Sequence, residues 1–197
     1  MSMLLCRQVF SQKGRVTRNR FSAIVIFVFF ATGCATMTPS PYAVSVENSR
    51  ALKKYSGQVI RMESMVSHAN YNPYCRLVAS ISAPDGVGIP QFIQNAFNDE
   101  LRFAGSHSEG GISLFGTLDK IQFSSGPLLH HRSGWWNLGL TLKSNNGRTL
   151  SIESHHEFRS AFDPRTACNQ TAVALVAAVQ NLLNKTFNDP AFRELLQ

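Results

Sequence analysis

Residues 135–159 read WWNLGLTLKSNNGRTLSIESHHEFR. Apolar and polar residues alternate on both sides of Asn145-Asn146-Gly147, the pattern of two strands joined by a tight turn. Trp136, Leu138, Leu140 and Leu142 share one face of the first arm, and Leu150, Ile152, Ser154 and His156 share one face of the second. The burial pattern chooses the loop length. With three loop residues, Ser144 pairs with Arg148, so Leu142 faces Leu150 and Leu140 faces Ile152. With two, Leu140 would face Glu153 and polar groups would be buried. The three-residue loop is therefore expected, with Gly147 left-handed. That register turns Trp136 and His156 inward opposite one another, and Trp135 and His155 outward.

Downstream, Asp163-Pro164 is a helix start, a carboxylate cap followed by proline at the first helical position. A long helix is expected over 165–187, with Cys168, Ala172, Leu175, Val176, Val179, Leu182, Leu183 and Phe187 as its buried stripe. A short turn from Pro190 to Leu196 returns Phe192, Leu195 and Leu196 to the body. Upstream, Gly110-Gly111 opens a strand from Ile112 to Phe123, with Ile112, Leu114, Gly116 and Leu118 on one face and Phe115, Thr117, Asp119 and Ile121 on the other. Residues 90–104 predict a helix buried through Phe92, Ile93, Ala96, Phe97, Leu101 and Ala104. Residues 74–82 predict a strand with Cys75, Leu77, Ala79 and Ile81 on one face, and residues 58–66 predict another. The order β-β-α-β-β-β-α implies an α+β fold, a largely antiparallel sheet with two main helices packed on one face. No repeat or linker divides residues 58–197, so a single domain is expected there.

The chain has 197 residues and a formal charge of +7. Arg7, Lys13, Arg15, Arg18 and Arg20 lie in the first 33 residues, which hold no acid; the remainder carries 14 basic against 12 acidic side chains. A nearly neutral body offers no footprint for a phosphate backbone, so no nucleic-acid partner is expected. The basic segment is followed by Phe21 to Gly33, thirteen residues without a charge. As a helix these would span about 20 Å, short of the bilayer's hydrocarbon core but suited to a signal peptide.

The run ends in Ala31-Thr32-Gly33-Cys34. This resembles the lipobox of bacterial lipoproteins, with Ala31 where leucine is usual. The resemblance implies that residues 1–33 are a lipoprotein signal peptide. It also implies that the Cys34 thiol receives a diacylglycerol, that cleavage falls before it, and that the new amino terminus is acylated. Several acyl chains hold a protein on a bilayer where one would not. Ala35, rather than Asp, implies the outer membrane, with the body facing the periplasm. Residues 34–57 are then expected to be a lipidated tether, its start marked by Pro39 and Pro41.

Taken together, an apolar helix, a Gly-flanked strand, a hairpin with an Asn/Gly turn, a polar strand ending near Phe158 and an Ala/Val/Leu-rich helix ending in Asn188-Asp189-Pro190-Ala191-Phe192 occur in this order. Over roughly residues 74 to 197 the chain resembles small outer-membrane lipoproteins of the YajG type and, more loosely, the LptE-like lipopolysaccharide-assembly lipoproteins. The resemblance implies scaffolding or assistance to an envelope machine, and it transfers no binding residue.

The residues carry no catalytic motif. Nucleophile elbow, P-loop and G-x-G-x-x-G patterns are missing, and the histidine pairs His130-His131 and His155-His156 lack metal-ligand spacing. No catalytic residue, metal or cofactor is expected. Trp135, outward beside the loop from Ser124 to Gly134, is a candidate contact surface, unless that loop covers it. Cys6 leaves with the leader and Cys34 is used for lipid, which leaves Cys75 and Cys168 in an oxidising compartment. Both lie on expected core stripes. A disulfide is expected there, closing about 93 residues and contributing about 4.6 kcal/mol in the chain-entropy model; the alternative is two buried free thiols. The expected function is that of a lipid-anchored envelope lipoprotein, a non-catalytic binding or assembly-accessory module with an unknown envelope protein as partner. The alternative is a periplasmic hydrolase or a ligand- or lipid-binding protein whose site is assembled from scattered residues.

Overall fold

The computed structural model describes residues 35–126 and 133–197. A four-stranded sheet runs in the order β2 (Ile60–Ser67), β5 (Ile112–Ser124), β6 (Ser133–Ser144), β7 (Thr149–Arg159). β5–β6 and β6–β7 are antiparallel, whereas β2 runs parallel to β5. The hairpin has the derived register: Leu142 faces Leu150, Leu140 faces Ile152 and Trp136 faces His156. The Ser144 N–H donates to the Arg148 carbonyl at 3.0 Å and Gly147 adopts φ 88°. At the open end of the hairpin, the Phe158 ring lies over Gly134. A β-carbon at that glycine would come within 2.3 Å of the ring, so only glycine permits the approach.

Trp136, Leu138, Leu140, Leu142, Leu114, Leu118 and Ile121 are buried on the inner face. Ile121 departs from the expected strand faces, because pairing steps from Leu118↔Leu140 to Lys120↔Gly139. Asp119 is the extra residue of a bulge, and one extra residue reverses the alternation beyond it. Ile121 therefore joins the core instead of the outer face.

Two helices cover that inner face, α2 (Ile89–Phe103) and α3 (Pro164–Asn188). The Asp163 carboxylate caps α3, accepting from the Thr166 amide and hydroxyl, each at 2.8 Å. Phe97 of α2 meets Phe187 of α3 edge to face at 5.1 Å. The Trp136 indole N–H donates to the Thr171 carbonyl at 2.9 Å, which satisfies the one polar atom of the largest core side chain. A short helix α4 (Pro190–Leu195) packs Phe192 against Tyr55 and Phe187.

The strand expected over 74–82 is a tight reversal. β3 (Tyr74–Cys75) pairs antiparallel with β4 (Ala79–Ile81), with Cys75 facing Ala79. Arg76 and Leu77 are left-handed, at φ 46° and 57°. Cys75, Ala79 and Ile81 keep their inward side, but Leu77 is expelled to the tip and is 94% exposed. Arg76 accounts for the reversal. Its guanidinium donates to Ser125 Oγ at 2.9 Å, the Ser125 carbonyl at 2.7 Å, the Gly126 carbonyl at 3.2 Å and the Phe162 carbonyl at 2.9 Å. The Ser125 carbonyl also accepts from the Ser160 hydroxyl, so the reversal, Ser125 and Ser160 are tied at one place.

Residues 35–57 form part of the body and not a free tether. β1 (Ala35–Met37) pairs parallel with β4, with Ala35 beside Ala79, which completes a small three-stranded sheet. Next comes α1 (Val46–Leu52), capped by Ser45, with Ala51 and Leu52 buried. The physical reason is Glu100 on α2, whose carboxylate is fully buried. Its Oε1 accepts from the Tyr42 hydroxyl at 2.6 Å, the Ser45 backbone N–H at 2.9 Å and the Asn48 side-chain Nδ2 at 3.0 Å. A buried carboxylate demands such donors, and this segment supplies all three.

Candidate contact surface

Cys75 and Cys168 are joined by a disulfide, with Cα atoms 5.8 Å apart and 93 residues between them. The bridge ties the small sheet to the first turns of α3. Both residues are buried, so neither sulfur is available as a nucleophile. Cys34 lies outside the described residues, as do His130 and His131. Its neighbour Ala35 opens β1. Among the described residues no helix is long and apolar enough to cross a membrane.

Trp135 lies on the outer face of the sheet, as its register requires, and is half-buried. Its ring is 6.2 Å from that of His155, tilted by 35°. His155 Nδ1 is 2.6 Å from Asn137 Oδ1, and its Nε2 is 3.2 Å from Glu157 Oε1. Further along, the Lys120 ammonium donates to both Glu153 oxygens at 2.7 Å, and the Thr141 hydroxyl donates to Asp119 at 2.6 Å. The outer face is thus a polar ladder with Trp135 toward one end and exposed Phe115, paired with Lys143, toward the other. His156 points the other way, half-buried opposite Trp136. Burial holds its pKa below the ordinary histidine value, and the neighbouring His155 adds to this. The two histidines cannot share an ion across the sheet. Among the described residues no group of three or more His, Cys, Asp or Glu side chains is placed to hold a metal.

Helix side chains cover both edges of the large sheet. On β2, Asn98 and Gln94 of α2 bond the main chain of Met62 and Glu63. On β7, Asn181 of α3 donates to the His155 carbonyl at 3.0 Å and Lys185 to that of Glu153 at 3.4 Å. One and two turns earlier on α3 stand Ala177 and Val173, too short to reach. There a groove of about 500 Å³ opens, lined by His156, Phe158, Val173, Ala174 and Ala177. A second cleft of about 550 Å³ lies between the β4–α2 connection and the large sheet, lined by Tyr71, Ile81, Val87, Ile89 and Ile121.

Glu100, Asn98 and Arg76 organise this frame and were not expected from the sequence. A charged or amide residue on a helix or strand ordinarily reads as solvated, and only their distant partners give them their roles. Compared with known proteins, the chain matches no family model and no curated protein sequence.

Proposed function

We propose that the chain is a lipid-anchored lipoprotein of the bacterial outer membrane whose body is a non-catalytic binding or assembly-accessory module. The observation that carries this reading is the sequence at Ala31 to Cys34, followed directly by residues 35–37 paired into the small sheet. An acylated Cys34 would stand one peptide bond from the folded body, so the module would be held against its membrane. The buried disulfide supports an exported location, since such bonds persist in oxidising compartments. Trp135 and its ring neighbour His155 offer the partner-facing surface, an amphipathic anchor on a polar sheet.

The test is photocrosslinking in intact cells with benzoylphenylalanine in place of Trp135, and in place of exposed Lys143 on the same face of β6 as the control. The expected result is a discrete protein adduct at 135 that is missing at 143. Equal or no adducts at the two positions would count against the module reading. A second reading, ligand or lipid carriage, draws on the apolar cleft beside Tyr71 and Ile121. A lipid co-purifying with the chain and displaced by Val87→Trp would favour it.

A further inference from the structure

We infer that the β3–β4 turn and the Phe162 loop form a rim that enters the bilayer interface; the inference rests on the anchoring reading for which membrane it meets. Tyr74 is 67% exposed, Leu77 94%, Val78 42% and Phe162 73%. Exposed apolar side chains scattered singly need no explanation, but a group of them at one place does. These four are gathered by Arg76, whose guanidinium bonds the Phe162 carbonyl from the residue beside Leu77. Leu77 is also held out at a backbone cost, because φ 57° is a conformation that a leucine rarely adopts. The disulfide at Cys75 and the bonds of Arg76 keep it there.

The course of the chain says what this rim faces. Ala35 pairs with Ala79, two residues from Leu77, so the residue bonded to Cys34 lies within about 7 Å of the tip along the strand. Acyl chains on Cys34 would bring this end of the molecule to the lipid surface. Leucine and valine suit the acyl boundary, and tyrosine and phenylalanine suit the interface. Exposed Arg159, the last residue of β7, and Arg165, in the first turn of α3, flank the Phe162 loop and are of the charge that anionic headgroups attract. The Asn145–Gly147 turn lies at the opposite end of β6, twelve residues or about 40 Å away.

The experiment uses the full chain purified from membranes and reconstituted into phosphatidylethanolamine/phosphatidylglycerol vesicles that carry a diazirine in a phospholipid acyl chain. Adducts are mapped after irradiation. The expected result is labelling of residues 74–78 and 162 several-fold above the Asn145–Gly147 turn. Leu77→Gly relieves the left-handed strain, so it should leave the melting temperature unchanged or higher while cutting the label on the β3–β4 turn. Labelling that is equal at both ends, or missing from the rim, would overturn the inference. The same spectra report the mass of the Cys34 peptide. Acylated Cys34 with an unlabelled rim sinks this inference alone; unmodified Cys34 with a labelled rim sinks the anchoring reading and leaves the rim standing.

Discussion

Asn98 pairs with Met62 as a neighbouring strand would. Its Oδ1 accepts the Met62 amide at 2.9 Å and its Nδ2 donates to the Met62 carbonyl at 3.0 Å. The free edge of β2 is thereby closed at Met62 by a helix side chain, and on β7 Asn181 and Lys185 of α3 cover the His155 and Glu153 carbonyls. Open sheet edges template unwanted pairing, so this arrangement protects the sheet at both sides.

Removing that amide should be costly. Asn98→Ala leaves a buried donor and a buried acceptor unmet, so a loss of roughly 2 to 4 kcal/mol is expected by denaturant unfolding. The Met62 amide should also exchange with solvent faster than in the parent. A change below about 0.5 kcal/mol would mean that water replaces the side chain without loss.

The disulfide closes 93 residues. Cys75→Ala with Cys168→Ala should lower stability by about 2 to 5 kcal/mol. In the parent, neither thiol should react with maleimide after denaturation unless a reductant is present. Reaction without reductant would refute the bond.

Gly147→Val tests the hairpin turn. Nothing lies within 4 Å of a β-carbon placed at Gly147, and φ is 88°. The cost is then conformational rather than steric, roughly 1 to 2 kcal/mol. An unchanged melting temperature would speak against the left-handed turn.

His156 sets a pH dependence. Burial lowers its folded pKa below the ordinary 6.5, so as the pH falls the unfolded chain takes up the proton first. The unfolded state then binds more protons, and stability rises with pH across that window. The folded state is therefore at full strength above about 6.5 and weakens as the pH falls from there toward the folded value. His156→Asn should flatten this part of the melting-temperature profile. Parallel profiles for the two proteins would exclude His156 as the source.

Much of the large sheet is legible in the residues. The alternation around Asn145-Asn146-Gly147 permits only one register that buries leucine against leucine and isoleucine. Asp163-Pro164 marks the start of α3. Trp135 lies outward and His156 inward by strand parity alone. The β3–β4 reversal is not legible, because Arg76 and Leu77 carry no turn signal and the bend is imposed by acceptors 49 and 86 residues away. Asp119 reads as an ordinary outward position, so the bulge is silent. The prolines at 39 and 41 draw attention away from Ser45, whose cap begins α1. The disulfide is legible although the reversal is not, since Cys75 and Ala79 keep their side across the three-residue turn.

The most direct test of the account is the mass of the amino-terminal peptide of the protein recovered from its native membrane. The peptide should begin at Cys34 and carry a thioether-linked diacylglycerol and an amide-linked acyl chain, with no such species from Cys34→Ser. A peptide that begins elsewhere, or a Cys34 with a free thiol, would contradict it.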